Sequence, residues 1–307
     1  MSARDSGYRR IHVRPIAGAL GAEIDGVDLS QPMDAETRAE VHRAWLENLV
    51  VFFRGQDLDI AGMERVGRCF GDLTVTPHNM TEPGSDYVHR MIRDAAAVPG
   101  SRNYGDRWHT DQVVKERPIA GIVLHALDCP PFGGDTMFAN LYLAYETLSD
   151  GMKAMCEALM LVHSPSGPFS SKPLTDQKGT KNIVNMTPEQ LQEYLRRETA
   201  HPLVRIHPET GRRLLYTTGD FAIRFKDMTE AESRPLIDML NRHASRPEFT
   251  CRFHWTKGAV ALIDNRCCQH YAVNDYAGFR REMLRVEIDD KVRPYGPAAP
   301  LPADQAA

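Results

Sequence analysis

Three runs near the C-terminal end of the chain, FTCRFHW, GAVALIDN and REMLRVEI, are each seven or eight residues long. That is the length of strands and too short for ordinary helices. In the last of them Arg281, Met283 and Arg285 share one face, and Leu284, Val286 and Ile288 share the other. Such a strand either shows its arginines to solvent or turns them into the interior of a barrel or sandwich. In the second case the buried guanidinium groups require anionic partners, and their planar forks suit carboxylates.

Other short strands fit the same plan. Residues 10–16 alternate with period two, LVVFF at 49–53 is a short apolar run, and 202–206 with 213–217 read as a hairpin with Gly211 in its turn. Helices fit 34–48, 59–70 with Gly71 as the stop, and about 142–160. A further helix follows the capping box Thr229–Glu232, with Leu236, Met239, Leu240 and His243 on one face. No repeat of 20–50 residues and no glycine-rich phosphate loop is present. Many short strands, with helices near the N-terminus and in insertions, predict a mainly β sandwich or jelly roll decorated by helices. One domain is expected over residues 1–307, ordered from about 10 to 295. Within it the Ser-, Pro-, Gly- and Lys-rich stretch 164–188 reads as an active-site lid and 295–307 as a loose tail.

Composition excludes several partner classes. Forty-one acidic against 37 basic residues give a net charge of −4, which offers no electrostatic footprint for nucleic acid or an anionic membrane. No run approaches a membrane span and the opening residues lack the apolar segment of a secretory signal, so a cytoplasmic protein is expected. The six cysteines form no CxxC pair and read as reduced, mostly core residues.

The candidates for chemistry lie far apart. His109 and Asp111 in Trp108-His109-Thr110-Asp111 would point to one face of an extended strand, a bidentate bite for a metal. By itself an HxD pair is common. His270, in Asp264-Asn-Arg-Cys-Cys-Gln-His270-Tyr, either packs at a strand end or supplies a third ligand. Two histidines and one carboxylate on one face of a metal leave positions open, as iron(II) oxygenases need.

These residues also carry a resemblance. WHTD at 108–111, Gly133-Gly-Asp-Thr136 followed by a helix with Ala144-Tyr-Glu, and DNRxxQHYAxxDY at 264–276 with Arg281 and Arg285 resemble the taurine dioxygenase and 2,4-dichlorophenoxyacetate dioxygenase family. GAEIDGVDL at 21–29 and VVFFRGQ at 50–56 extend the likeness over about residues 10–295. The resemblance implies a double-stranded β-helix, the jelly roll of the clavaminate synthase-like type. It implies Fe(II) held by His109, Asp111 and His270, with 2-oxoglutarate and O2 as co-substrates. Arg281 matches the residue that binds the far carboxylate of 2-oxoglutarate and Thr136 its hydroxyl partner. Arg285 matches an arginine that meets an acidic substrate group or the keto-acid end of the co-substrate. The implied reaction couples oxidation of 2-oxoglutarate to succinate and CO2 with hydroxylation, desaturation or epoxidation of a small molecule. A homodimer or homotetramer is also implied.

The pattern departs from the taurine enzyme where substrate is held. There a histidine and a tyrosine follow an FG-acidic-Leu motif, whereas here the stretch is Phe70-Gly-Asp-Leu-Thr-Val-Thr76-Pro-His-Asn79. Gly105 replaces an asparagine, with Asn103 and Tyr104 close by, and Phe221 matches an aromatic substrate wall. Thr76, Asn79, Asn103, Tyr104, Phe221 and Arg285 are therefore the candidate substrate residues. Taurine is disfavoured. A larger, more apolar acid is expected, such as a natural-product carboxylate or an aryloxyalkanoate, with an alkyl sulfate or sulfonate as the alternative and Phe132 and Phe169 as further apolar candidates. The remaining histidines read as structural or surface residues. Arg266 and Gln269 either orient the ligands or are loop polarity. A zinc hydrolase and a non-catalytic jelly-roll binding protein are the rivals; no HExxH helix is present and the hydrolase leaves Arg281 and Thr136 without a task, while the intact triad and the arginine pair argue against the binding protein.

Overall fold

Side-chain alternation lets one sheet serve two cores. The structure, a computed structural model, describes residues 7–75, 81–97, 105–166, 187–217 and 219–301. Its main sheet contains, in spatial order, β1 (His12–Pro15), β2 (Ala22–Asp25), β3 (Val50–Phe53), β13 (Val260–Asp264), β5 (Gly121–Asp128), β15 (Arg281–Ile288) and β4 (His89–Arg93). All neighbours pair antiparallel except β2 with β3.

On the outer face lie helices α1 (Ala35–Asn48) and α2 (Ile60–Arg68). Each starts at an aspartate, Asp34 or Asp59, whose carboxylate accepts from a backbone N–H of the first turn. Val41, Trp45, Met63 and Val66 pack there against Val51, Phe53, Val260, Leu262, Leu284, Val286 and Ile288. Burial of each large side chain contributes roughly 1.5–3 kcal/mol. The alternate residues Phe52, Ile122, Ala261, Ile263 and Met283 face the other way, into the space between the sheets.

A three-stranded sheet of β12 (Thr250–Phe253), β6 (Thr136–Asn140) and β14 (Cys268–Ala272) closes that space. Phe52 joins the layers, stacked on Phe253 at 3.8 Å between centroids and edge-on to Phe138 at 5.6 Å. Phe52→Ala is expected to destabilise the protein by about 3–5 kcal/mol through a cavity between the sheets. Equilibrium denaturation measures it, and a loss below about 1 kcal/mol contradicts this packing. Beyond lie a second three-stranded sheet of β11 (Ala222–Phe225), β7 (Met160–His163) and β8 (Thr199–Pro202), and the hairpin β9 (Val204–Ile206) with β10 (Arg213–Leu215).

The single helix expected over 142–160 is two helices, α3 (Leu141–Glu146) and α4 (Asp150–Glu157), followed by β7. Ser149 ends the continuity because its hydroxyl accepts from Met152 N and starts a new helix. Helix α2 stops at Cys69 rather than Gly71. Most of the proposed lid, 167–186, lies outside the described residues. Helix α5 (Pro188–Leu195) follows it behind a Thr187–Gln190 capping box, and α6 (Glu230–Ala244) follows the expected Thr229–Glu232 box. The tail is held at Tyr295, whose carbonyl accepts from Ile206 N at 2.8 Å. All six cysteines are free, and Cys156, Cys251, Cys267 and Cys268 are buried. Among the described residues no helix is long and apolar enough to cross a membrane.

Candidate metal centre and co-substrate pocket

The extended strand expected through 109–111 is a single bridge. His109 pairs with His270 of β14 through N–H···O bonds of 3.1 and 2.9 Å, after which the chain turns and Gln112 adopts a φ of 60°. The bridge sets the two imidazoles side by side, 4.2 Å between ring centroids. Gly219 permits a close approach here. At φ +61° a Cβ on it would lie 1.7 Å from the carbonyl oxygen of Trp108, the residue before His109.

The carboxylate of Asp111 sits between the two rings. Oδ1 lies 3.5 Å from His109 Nε2 and Oδ2 lies 3.4 Å from His270 Nε2, and one donor atom from each residue falls within 4.8 Å of the others. His109 Nδ1 is 2.7 Å from the carbonyl oxygen of Arg107. A carbonyl only accepts, so Nδ1 carries the hydrogen. Burial lowers the pKa of His109, but the Asp111 carboxylate beside Nε2 outweighs burial and raises it. Burial alone would raise the carboxyl pKa of Asp111, but Arg285 and His270 hold it well below the usual range. Burial and the neighbouring His109 ring lower the pKa of His270. An anionic carboxylate and a neutral imidazole are the protonation states a metal requires, and this donor set fits a ferrous ion.

The arginine face of β15 turns inward. Arg285 Nη2 donates to Asp111 Oδ2 at 2.8 Å and to Glu287 Oε1 at 2.6 Å. Arg281 is 8% exposed, its Nε is buried without a hydrogen-bond partner, and its guanidinium lies 5.8 Å from the ring of Trp255. The same Trp255 donates its indole N–H to Thr136 Oγ1 at 2.9 Å, which leaves the threonine hydrogen free to donate elsewhere. A buried cation and a hydroxyl donor around one tryptophan suit a carboxylate ligand.

The other candidates divide. Thr76, Asn79, Asn103, Tyr104 and Phe169 lie outside the described residues. Phe221 is half-buried against the core in the turn that Gly219 opens. Phe132 is 61% exposed and edge-on to Phe279 at 5.0 Å. Neither Arg266 nor Gln269 hydrogen-bonds a ligand side chain. Arg266 pairs with Asp264 and Glu209, and Gln269 donates to Thr217 O and Oγ1.

Asn265, a residue the sequence does not single out, does hold a candidate ligand, Asp111. Its Oδ1 accepts from Asp111 N at 2.9 Å, and its Nδ2 donates to Asp111 O at 3.1 Å and Ile119 O at 3.0 Å. Asn265→Ala is expected to weaken Fe(II) binding by about 10–100-fold. Iron titration checks this, and an unchanged affinity contradicts the clamp. A second cluster, His207, Asp264 and Cys267, also brings three possible donors together. There, however, both Asp264 oxygens are taken by Arg266 and His207, and burial holds the Cys267 thiol well above its ordinary pKa.

Comparison with known proteins gives the family. The family model for "Taurine catabolism dioxygenase TauD, TfdA family" matches residues 12–286. The chain is 35% identical over 284 residues to an alpha-ketoglutarate-dependent sulfate ester dioxygenase of Pseudomonas putida, covering 92% of this chain and 90% of the relative. It is 34% identical over 291 residues to an alkylsulfatase of Acinetobacter baylyi, covering 92% and 86%. A crystal structure of a taurine dioxygenase from Burkholderia xenovorans superposes with a TM-score of 0.78 at 34% identity, covering 95% of each chain. The fold is thus the jelly roll of these enzymes, and the chain belongs to the TauD/TfdA family of Fe(II)- and 2-oxoglutarate-dependent dioxygenases.

Proposed function

We propose that this dioxygenase oxidises a small organic anion with an apolar body, and that the anion is a sulfate ester. The observation that carries this reading is Arg285, which reaches from β15 to the Asp111 carboxylate and so stands at the metal side of the pocket. The names of the two relatives at 34–35% identity support the sulfate ester class. In this reading His109, Asp111 and His270 hold iron, and Arg281 with Thr136 takes the far carboxylate of 2-oxoglutarate. Bound iron supplies the redox chemistry by which dioxygen and 2-oxoglutarate yield an oxidised substrate, succinate and CO2.

The residues of the chain orient and enclose. Arg285 places the anionic end of the substrate beside the metal, which brings the adjoining carbon closest to it. Hydroxylation of a carbon that bears a sulfate ester gives an unstable hydroxy-ester, which collapses to an aldehyde and sulfate. Phe221, two residues after Gly219 in the turn that approaches the Trp108 carbonyl, offers apolar contact. A second reading keeps the site and exchanges sulfate for carboxylate, since the same fork fits both anions. Succinate release measured with medium-chain alkyl sulfates, aryloxyalkanoates, alkanoates and taurine separates them. Turnover with release of inorganic sulfate from the alkyl sulfates is expected. Turnover confined to carboxylates, or fastest with taurine, contradicts the sulfate ester reading.

A further inference from the structure

The two groups assigned to the far carboxylate of 2-oxoglutarate come from different sheets. Thr136 opens β6 in the three-stranded sheet, and Arg281 opens β15 in the main sheet. One side chain touches both. Trp255 lies two residues beyond the end of β12, is 2% exposed, and packs edge-on to Phe253 at 5.1 Å between centroids. Phe253 in turn pairs with Thr136 in the β12–β6 register. The indole N–H donates to Thr136 Oγ1 at 2.9 Å, and the indole ring lies 5.8 Å from the Arg281 guanidinium. One residue earlier on each segment, His254 Nδ1 is 2.8 Å from Asp135 Oδ1. Two neighbouring contacts thus fix how the chain beyond β12 lies on the start of β6.

A hydroxyl both donates and accepts, whereas an indole N–H only donates and a carboxylate only accepts. While the indole occupies a lone pair of Thr136 Oγ1, the threonine hydrogen points elsewhere. A carboxylate needs that hydrogen. Without the indole the hydroxyl is free to turn its hydrogen to another acceptor, and it then meets the carboxylate with lone pairs. The contact of the same ring with Arg281 brings the hydroxyl and the guanidinium to one place. We propose that Trp255 is a positioning residue for 2-oxoglutarate, aiming the Thr136 hydroxyl at the carboxylate that Arg281 binds. This rests on the reading of Arg281 and Thr136 given above. Because Trp255 is buried and tied to both sheets, the direction of the hydroxyl is set before the co-substrate enters.

The test compares two keto acids, 2-oxoglutarate and 2-oxopentanoate, which has the same chain without the far carboxylate. Each is titrated anaerobically into the iron-loaded parent, Trp255→Phe, Thr136→Val and the double variant. The readouts are the visible charge-transfer band and the ligand-induced rise in Tm. Trp255→Phe keeps a ring beside Arg281 and removes the N–H. It is expected to weaken 2-oxoglutarate about tenfold and to leave 2-oxopentanoate unchanged. Since the effect runs through the Thr136 hydroxyl, the same change in the Thr136→Val background should cost about twofold or less. Placing the isostere β-(3-benzothienyl)alanine at position 255, with sulfur for the N–H, should repeat both results with the packing kept, and it replaces Trp255→Phe if that variant does not fold. Equal losses for both keto acids, no loss, or an undiminished loss in the Thr136→Val background overturn the proposal. Thr136→Val distinguishes the two levels. If it lacks a loss selective for 2-oxoglutarate, the reading of the pocket fails. If it shows that loss and the variants at position 255 do not, only the role of Trp255 fails.

Discussion

Asp111→Ala is expected to abolish 2-oxoglutarate-dependent turnover and to weaken Fe(II) binding by more than about 100-fold, beyond what loss of an outer-shell partner costs. The carboxylate supplies the one anionic donor of the triad and is also a partner of Arg285. Its removal leaves two imidazoles 4.2 Å apart with a buried guanidinium beside them. The local balance thereby loses one negative charge, and Arg285 keeps the Glu287 carboxylate as its partner beside the metal position. Asp111→Asn keeps the shape and removes only the charge. It should lose iron nearly as completely, whereas a role in folding alone predicts that it behaves as the parent. Iron content after anaerobic loading, read beside the melting curve, separates the two.

Asp264→Ala is expected to destabilise the fold by about 3–5 kcal/mol, the cost of leaving a buried charge uncompensated. Asp264 is fully buried at the end of β13, where it accepts from Arg266 N, Nε and Nη2 and from His207 Nε2 at 2.8–3.0 Å. Burial opposes its ionisation, but Arg266 and His207 keep its carboxyl pKa far below normal. A depressed carboxylate pKa contributes stability that is complete above the unfolded value, about 4, and is lost as pH falls through the folded value. The parent should therefore lose this contribution only in strong acid, and Asp264→Ala should flatten that part of the acid denaturation curve. The next residue is Asn265, so Fe(II) affinity should fall in the folded fraction as well. A variant as stable as the parent at pH 7 contradicts the account.

What could be read from the chain depended on whether a residue advertised its environment. REMLRVEI has the same bounds as β15 because its outer residues are aliphatic and its inner ones cationic, a contrast with period two. The ordered motifs around them marked His109, Asp111 and His270, which the structure brings within 4.8 Å of one another, although the strand expected at 109–111 is one bridge. Strand β4, HRMIR, was not legible. Its inner face carries His89 and Arg93 and its outer face Arg90, so no apolar alternation marks it. Asn265 was hidden for a related reason. It works on the backbone of Asp111 and Ile119, and a backbone clamp leaves no pattern in the partner's side chains. The break in the helix expected over 142–160 was written in Ser149-Asp150, a cap followed by an acidic first turn, but the apolar spacing ran across it.

The most direct measurement is anaerobic titration of the metal-free protein with Fe(II) and 2-oxoglutarate, watching for the visible charge-transfer band of a chelated keto acid. The account predicts the band in the parent, its loss in His109→Ala, and in Arg281→Ala its appearance only at much higher 2-oxoglutarate. A parent that binds Fe(II) without developing the band, or an Arg281→Ala variant that titrates as the parent does, would contradict it.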